Sequence, residues 1–192
     1  MEIIEIFKTP VAKFVLDEDT EALAKFSRQC VMVHPSVHIS NEGGYQSPNL
    51  DLNIPELHSL RTQTTRCFNE LKTKFFYKAS LVIGNMWLNI NYPHSYNQVH
   101  NHSRSCFASC FYVSVPKNSG NIVFYNNYEI DNYMPQKWIT QFGEYNASSW
   151  TMRAENNAFY VFPAWLKHRV ETNKSEEDRI SISINAIEDK LN

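Results

Sequence analysis

A chain of 192 residues is long enough for one domain with a real core and short for two. With 43% hydrophobic and 20% charged residues it has an ordinary globular composition, which excludes a disordered tail or a fibrous repeat. The formal charge of -2 supplies no basic field for nucleic acid and no polybasic stretch for an anionic membrane.

In chain order, residues 3–16 read as strand material broken at Pro10. The beginning of the chain is acidic and lacks a long apolar run, so no signal peptide is expected. No segment approaches the roughly 20 apolar residues that span a bilayer. The four cysteines, Cys30, Cys67, Cys106 and Cys110, form no C-x-x-C pair; free thiols point to a reducing cytoplasm. Cys106 and Cys110 sit in an apolar run and read as small core residues. Residues 20–30 carry a helical period with Thr20 as a candidate cap, and residues 31–54 are loop-like, richest in turn signals at 41–53. Pro55 suits a first helical position, and Leu57, Leu60, Thr64, Cys67, Phe68, Leu71 and Phe75 follow at three-to-four spacing, which gives a long helix.

After residue 78 the pattern changes to about eight short β-rich runs separated by polar or turn residues. They fit an all-β sandwich or barrel better than alternating βαβ units. Residues 126–149 form the longest gap in the series and read as an insert. The expected organisation is a single domain over 1–192: an α+β support at 1–78 packed on a double-sheet β core at 79–192.

Chemistry concentrates in the β portion. His100 and His102 are two apart, so on a strand both imidazoles face one side and make a bidentate metal site; imidazole suits Fe, Zn, Cu and Ni. His168 opens a new β run after a Pro-containing turn. Eleven residues later comes Arg179-Ile-Ser181-Ile, where Arg and Ser share one face and the isoleucines the other. An arginine aimed into a β core is costly unless it meets a carboxylate, which its planar fork binds bidentately. 2-Oxoglutarate has the matching chemistry: its oxo acid chelates a metal and its far carboxylate meets the arginine.

The combination H-x-H at 100–102, a distal His168 and R-x-S at 179–181 resembles the Fe(II)/2-oxoglutarate dioxygenases. Further pieces resemble a small family of 2OG-Fe(II) oxygenases of bacteria and phages: F-x-T-P-V near the start, N-x-G-G-Y-Q-S at 41–47, W-L-N-I-N at 87–91, F-P-A-W-L-x-H at 162–168 and R-I-S-I-S-I-N at 179–185. The resemblance implies a double-stranded β-helix (a jelly-roll), with Fe(II), 2-oxoglutarate and O2 as the reaction's cofactor and co-substrates. It implies His100 and His168 as iron ligands, Arg179 for the distal carboxylate with Ser181 assisting, and Asn89 or Asn91 as a polar helper on the first core strand. The expected reaction is hydroxylation of a small-molecule or peptidyl C–H bond with release of succinate and CO2. A homo-oligomer is open.

One position departs from the pattern. The usual triad is two His and one carboxylate, and here His102 stands where Asp or Glu is expected. A three-His site is the first reading; the alternatives are a displaced His102 that leaves an open position, and a carboxylate from Asp131 or Glu129 in the insert. Two other classes stay open: a cupin-like three-His protein that does not use 2-oxoglutarate, and a non-catalytic β-sandwich. Trp165 is placed at the wall of the metal pocket, Trp87 in the core, and Gly43-Gly44 at a turn or at the substrate entrance.

Overall fold

The computed structural model describes residues 1–128 and 130–189. Two antiparallel sheets face each other. One has six strands in the order β1-β9-β6-β11-β4-β3 and the other five in the order β2-β5-β10-β7-β8. The elements run β1 (Ala12–Val15), α1 (Thr20–Val33), β2 (Asn41–Glu42), β3 (Tyr45–Gln46), α2 (His58–Lys72), β4 (Leu81–Asn91), β5 (Tyr96–His100), β6 (Phe107–Ser114), β7 (Ile122–Tyr125), α3 (Ile130–Tyr133), β8 (Ser149–Met152), β9 (Ala158–Pro163), β10 (His168–Val170) and β11 (Arg179–Glu188). The eight runs read after residue 78 are β4 to β11.

The N-terminal portion departs from the sequence reading in detail. Only Ala12–Val15 of the expected strand at 3–16 pairs, along β9; Pro10 cannot donate to a ladder, and the residues before it form no regular element. The cap of α1 is Asp19, whose Oδ1 accepts from the Ala22 N–H, and Thr20 is the first helical residue. The segment expected to be loop contains the end of α1 and the short strands β2 and β3. Between them Gly43 has φ +69°, and a Cβ on Gly44 would lie 2.7 Å from the Ile90 carbonyl oxygen. The two glycines therefore serve a structural turn that carries the chain from one sheet to the other. Pro55 opens a 3-10 turn that leads into α2.

Strand β11 lies at the centre of the six-stranded sheet, and its alternation divides the interior. Ile180, Ile182 and Ile184 are fully buried against α1 and α2, in a cluster with Leu57, Leu60, Phe68, Met86, Leu88 and Phe159. Burying each of these side chains contributes about 1.5–3 kcal/mol. Asn69 fixes α2 to the sheet by bonding both the N–H and the carbonyl of Leu81. The opposite face of β11 carries Arg179, Ser181, Ser183 and Asn185 into the space between the sheets. In register with them on β4 are Asn91, Asn89, Trp87 and Asn85. A second apolar cluster, with Phe124, Tyr160, Phe162 and Leu166, fills the rest of that space. The inter-sheet volume thus has one apolar part and one polar part. Within the insert, α3 and a 3-10 turn at Gln136–Trp138 are short and exposed. Among the described residues no helix is long and apolar enough to cross a membrane.

Candidate metal centre

The polar part of the interior holds three imidazoles. One potential ligand atom from each of His100, His102 and His168 lies within 4.8 Å of the other two. The strands create this convergence. His168 is the register partner of His100 on one side and of Phe124 on the other. His102 lies beyond the end of β5, where the chain turns and its N–H donates to the Ala164 carbonyl at 2.9 Å. The paired-strand geometry read from H-x-H therefore applies to His100 alone, and a turn brings His102 to the same point.

Hydrogen bonds settle which ring nitrogen faces inward. Nδ1 of His100 contacts the Gln98 carbonyl at 2.8 Å, and Nδ1 of His168 contacts the Leu166 carbonyl at 2.9 Å. Nδ1 of His102 contacts Asn185 Oδ1 at 2.7 Å. An oxygen acceptor requires a proton on Nδ1, which leaves each Nε2 with a free lone pair. His102 Nε2 is buried and has no hydrogen-bond partner. Burial pushes the His100 imidazole below the ordinary histidine range, the His102 imidazole down to about 4 and the His168 imidazole well below the ordinary range. All three are then neutral at pH 7, the form that ligates a metal. Trp87 stacks on His102 with ring centroids 5.6 Å apart, and Phe162 meets His168 edge-on at 4.7 Å. Trp87 is thus a wall of this site instead of core. Trp165 is half exposed and does not line it.

The same cavity is lined by Asn89, Asn97, Cys110, Ser181 and Ser183. The next inward residue on β11 is Arg179, 1% exposed. Its Nη1 donates to the Ser119 carbonyl at 2.8 Å and its Nη2 to Asn91 Oδ1 at 2.7 Å, while Nε has no partner. Among the described residues no carboxylate lies within ion-pair distance of it. The hydroxyls of Tyr112 and Ser119, beside this guanidinium, are also buried without partners. The unpaired Nε of buried Arg179, one inward position along β11 from the cavity-lining Ser181, and the inward lone pairs of three imidazoles suit a ligand with a carboxylate at one end and a metal contact at the other.

Residues 85–185 match the family model for 2OG-Fe(II) oxygenases, just over half of the chain. The chain belongs to that family. Solved structures of similar fold include the non-haem α-ketoglutarate-dependent epimerase SnoN from nogalamycin biosynthesis, with 15% identity, TM-score 0.68 and coverage of 93% of this chain and 76% of that one. A Pseudomonas putida prolyl-4-hydroxylase aligns with 12% identity, TM-score 0.62 and coverage of 93% and 92%. HygX from Streptomyces hygroscopicus, solved with nickel and 2-oxoglutarate, aligns with 10% identity, TM-score 0.63 and coverage of 95% and 84%. These likenesses give the fold, a double-stranded β-helix. No curated protein matches.

The oxygenase uses Fe(II) and 2-oxoglutarate, and the residues present fit both. The unpartnered Nε2 of His102 and the matching orientation of all three rings suit one metal ion. The unpartnered Nε of Arg179 suits a carboxylate. Asp131 is exposed and accepts from Gln136 Nε2, outside the cluster; Glu129 lies outside the described residues. Asn89 lines the cavity and donates to Ser183 Oγ at 3.0 Å, whereas Asn91 contacts Arg179. Ser181 also lines the cavity, between Asn89 on β4 and Tyr112 on β6. Sequence reasoning missed three contributors. Asn185 follows from the same alternation that placed Arg179 and Ser181. Tyr112 sits in an apolar run whose phase is ambiguous. The Ser119 carbonyl carries no sequence signal.

Proposed function

We propose that this oxygenase hydroxylates a C–H bond of a small-molecule or peptidyl substrate, with His100, His102 and His168 holding Fe(II) and Arg179 holding the distal carboxylate of 2-oxoglutarate. The observation that carries the reading is Arg179: a fully buried guanidinium with an unpaired Nε and, among the described residues, no carboxylate partner, one inward position along β11 from Ser181, which lines the cavity of the three imidazoles. Burying such a charge costs several kcal/mol. A ligand that supplies the missing anion accounts for it.

When bound, the iron supplies O2 activation coupled to oxidative decarboxylation of the co-substrate. The chain's own residues do the rest. The Nδ1 bonds hold the three rings in one tautomer with their lone pairs inward. Arg179 takes the carboxylate through Nε and one Nη, with the hydroxyls of Tyr112 and Ser119 as further donors and Ser181 as a neighbouring polar contact. Asn91 keeps the guanidinium in plane, since its Oδ1 accepts from Nη2 and its own Nδ2 donates to Asn97. Asn89 shapes the polar floor between the two ends. Phe162, Phe124 and Trp87 wall the imidazoles from bulk water.

The neighbours support both substrate classes: one is named as an epimerase from nogalamycin biosynthesis, another is a prolyl hydroxylase solved with a peptide fragment. Four free cysteines support work in a reducing cytoplasm, as one unit over 1–192.

Anaerobic addition of Fe(II) and then 2-oxoglutarate is expected to raise a visible charge-transfer band, and air is expected to release succinate. Metal binding without 2-oxoglutarate binding would turn the reading to a cupin-like three-His protein. Binding of neither would leave a non-catalytic β-sandwich.

A further inference from the structure

The three imidazoles are not held in the same way. Nδ1 of His100 and of His168 each contacts the carbonyl of the residue two positions earlier, Gln98 and Leu166. Those bonds are local: β5 itself provides the first, and the turn that leads into β10 provides the second. His102 has left its strand. Its Nδ1 instead contacts a side chain 83 positions away, Asn185 Oδ1 on β11, at 2.7 Å. Trp87 stacks on the face of this ring, and the hydrogen bond that sets which nitrogen points inward comes from a single distant amide.

The amide also selects the tautomer. With Oδ1 toward the ring, Nδ1 must carry the proton and Nε2 keeps its lone pair. With the amide nitrogen toward the ring, Nδ1 must accept, and the proton moves to Nε2, where it would point at the metal position and block ligation. Asn185 is 7% exposed. Strand pairing with Asn85 on β4 and Ala108 on β6 fixes its place. Gly84 has no partner of its own where the β4–β11 ladder slips by one residue beside Asn185.

From this geometry we infer that Asn185 is the positioning residue that makes His102 a metal ligand, so that an imidazole can stand where a two-His, one-carboxylate site has its acid. The inference rests on the three-His reading above and adds to it a residue that touches neither metal nor co-substrate. A carboxylate ligand needs no tautomer control. The exchange of acid for imidazole therefore requires an acceptor behind the ring, and β11 supplies it.

The test uses the full chain and Co(II) under nitrogen, read by its visible d–d bands, together with the downfield imidazole N–H resonances of the metal-free protein. Asn185→Leu is expected to bind Co(II) 10- to 100-fold more weakly, the usual cost of losing the group behind a ligating histidine, and to lose the His102 Nδ1–H resonance. Asn185→Asp keeps an oxygen acceptor and is expected to retain that resonance and Co(II) affinity within a few-fold. Wild-type affinity in a folded Leu variant would overturn the role of Asn185 while leaving the metal site standing. So would an Asp variant that lacks the resonance and binds Co(II) more than tenfold more weakly than wild type; because Asp preserves size and an oxygen acceptor, it carries the test if Leu fails to fold. A wild-type protein that binds no Co(II) would overturn the three-His reading itself.

Discussion

Replacing Arg179 by methionine separates co-substrate binding from fold stability. The side chain is almost wholly buried, and its charge has no carboxylate partner among the described residues. Methionine removes a desolvated charge, a change that is often neutral or stabilising by about 1–4 kcal/mol when volume is kept. Against this, Asn91 Oδ1 and the Ser119 carbonyl lose their donors, at about 1–3 kcal/mol each. The two effects nearly offset, so the metal-free variant should melt within about 10 °C of wild type, at roughly 2–4 °C per kcal/mol for this size. Co-substrate has no such compensation. Two charge-assisted hydrogen bonds are lost, at about 1.5–3 kcal/mol each, which converts to a 10²–10⁴-fold weaker Kd for 2-oxoglutarate. Arg179→Lys keeps charge without the fork and should fall between. The assays are calorimetric titration of 2-oxoglutarate into Co(II)-loaded protein under nitrogen and thermal unfolding of the metal-free forms. A methionine variant that binds 2-oxoglutarate within threefold of wild type would refute the reasoning. One that unfolds at room temperature would make Arg179 a structural residue.

Other substitutions probe the rest of the site and the core. His168→Ala is expected to abolish stoichiometric Co(II) binding while far-UV circular dichroism stays unchanged; retention of the metal would remove His168 from the site. Asn91→Leu takes away the acceptor that holds Nη2 of Arg179 and should weaken 2-oxoglutarate about tenfold, with Co(II) affinity unaffected. Phe68→Ala opens a cavity beside Phe159, whose ring centroid is 5.7 Å away, and should cost about 3–5 kcal/mol in urea unfolding. Metal-free stability should fall on acidification. The folded His102 titrates near 4 and an unfolded histidine near 6.5, so between those values the unfolded chain binds more protons. Stability is then full above about pH 7 and declines toward pH 4, by up to about 3 kcal/mol from this group. A denaturation midpoint flat over that range would contradict neutral, buried imidazoles.

The β core was legible because period-two alternation with polar breaks needs little tertiary information: all eight runs after residue 78 are strands. Arg179, Ser181 and Asn185 share a face for the same reason, and the isoleucines between them required a buried opposite face. Legibility failed where geometry is not local. His102 reaches the cluster through a turn, so strand parity put it beside His100 through an incomplete argument. Trp87 was read as core because an aromatic on a strand has no signal for which cavity it walls; its parity with Asn89 and Asn91 places it inside. Trp165 was read as a wall from its nearness in sequence to His168, but it lies on the turn and points to solvent. At α1, Asp19 and Thr20 are both competent caps, and one residue of phase decided between them.

Charge explains what the third imidazole changes. In a two-His, one-carboxylate site the ligand's negative charge offsets part of the metal's, and the metal with dianionic co-substrate is left net negative. On the proposed three-His reading the metal's two positive charges would remain for 2-oxoglutarate to match, and Arg179, buried one inward position along β11 from the cavity-lining Ser181, would add a third. Among the described residues no acidic side chain lines the cavity. The interior would therefore favour an anion before co-substrate arrives. That bias favours retention of the dianion, and weakens discrimination against Zn(II), which nitrogen ligands hold well. The neutral amide of Asn185 behind His102 preserves the bias, because it orients the ring without restoring the negative charge that the missing carboxylate would have supplied.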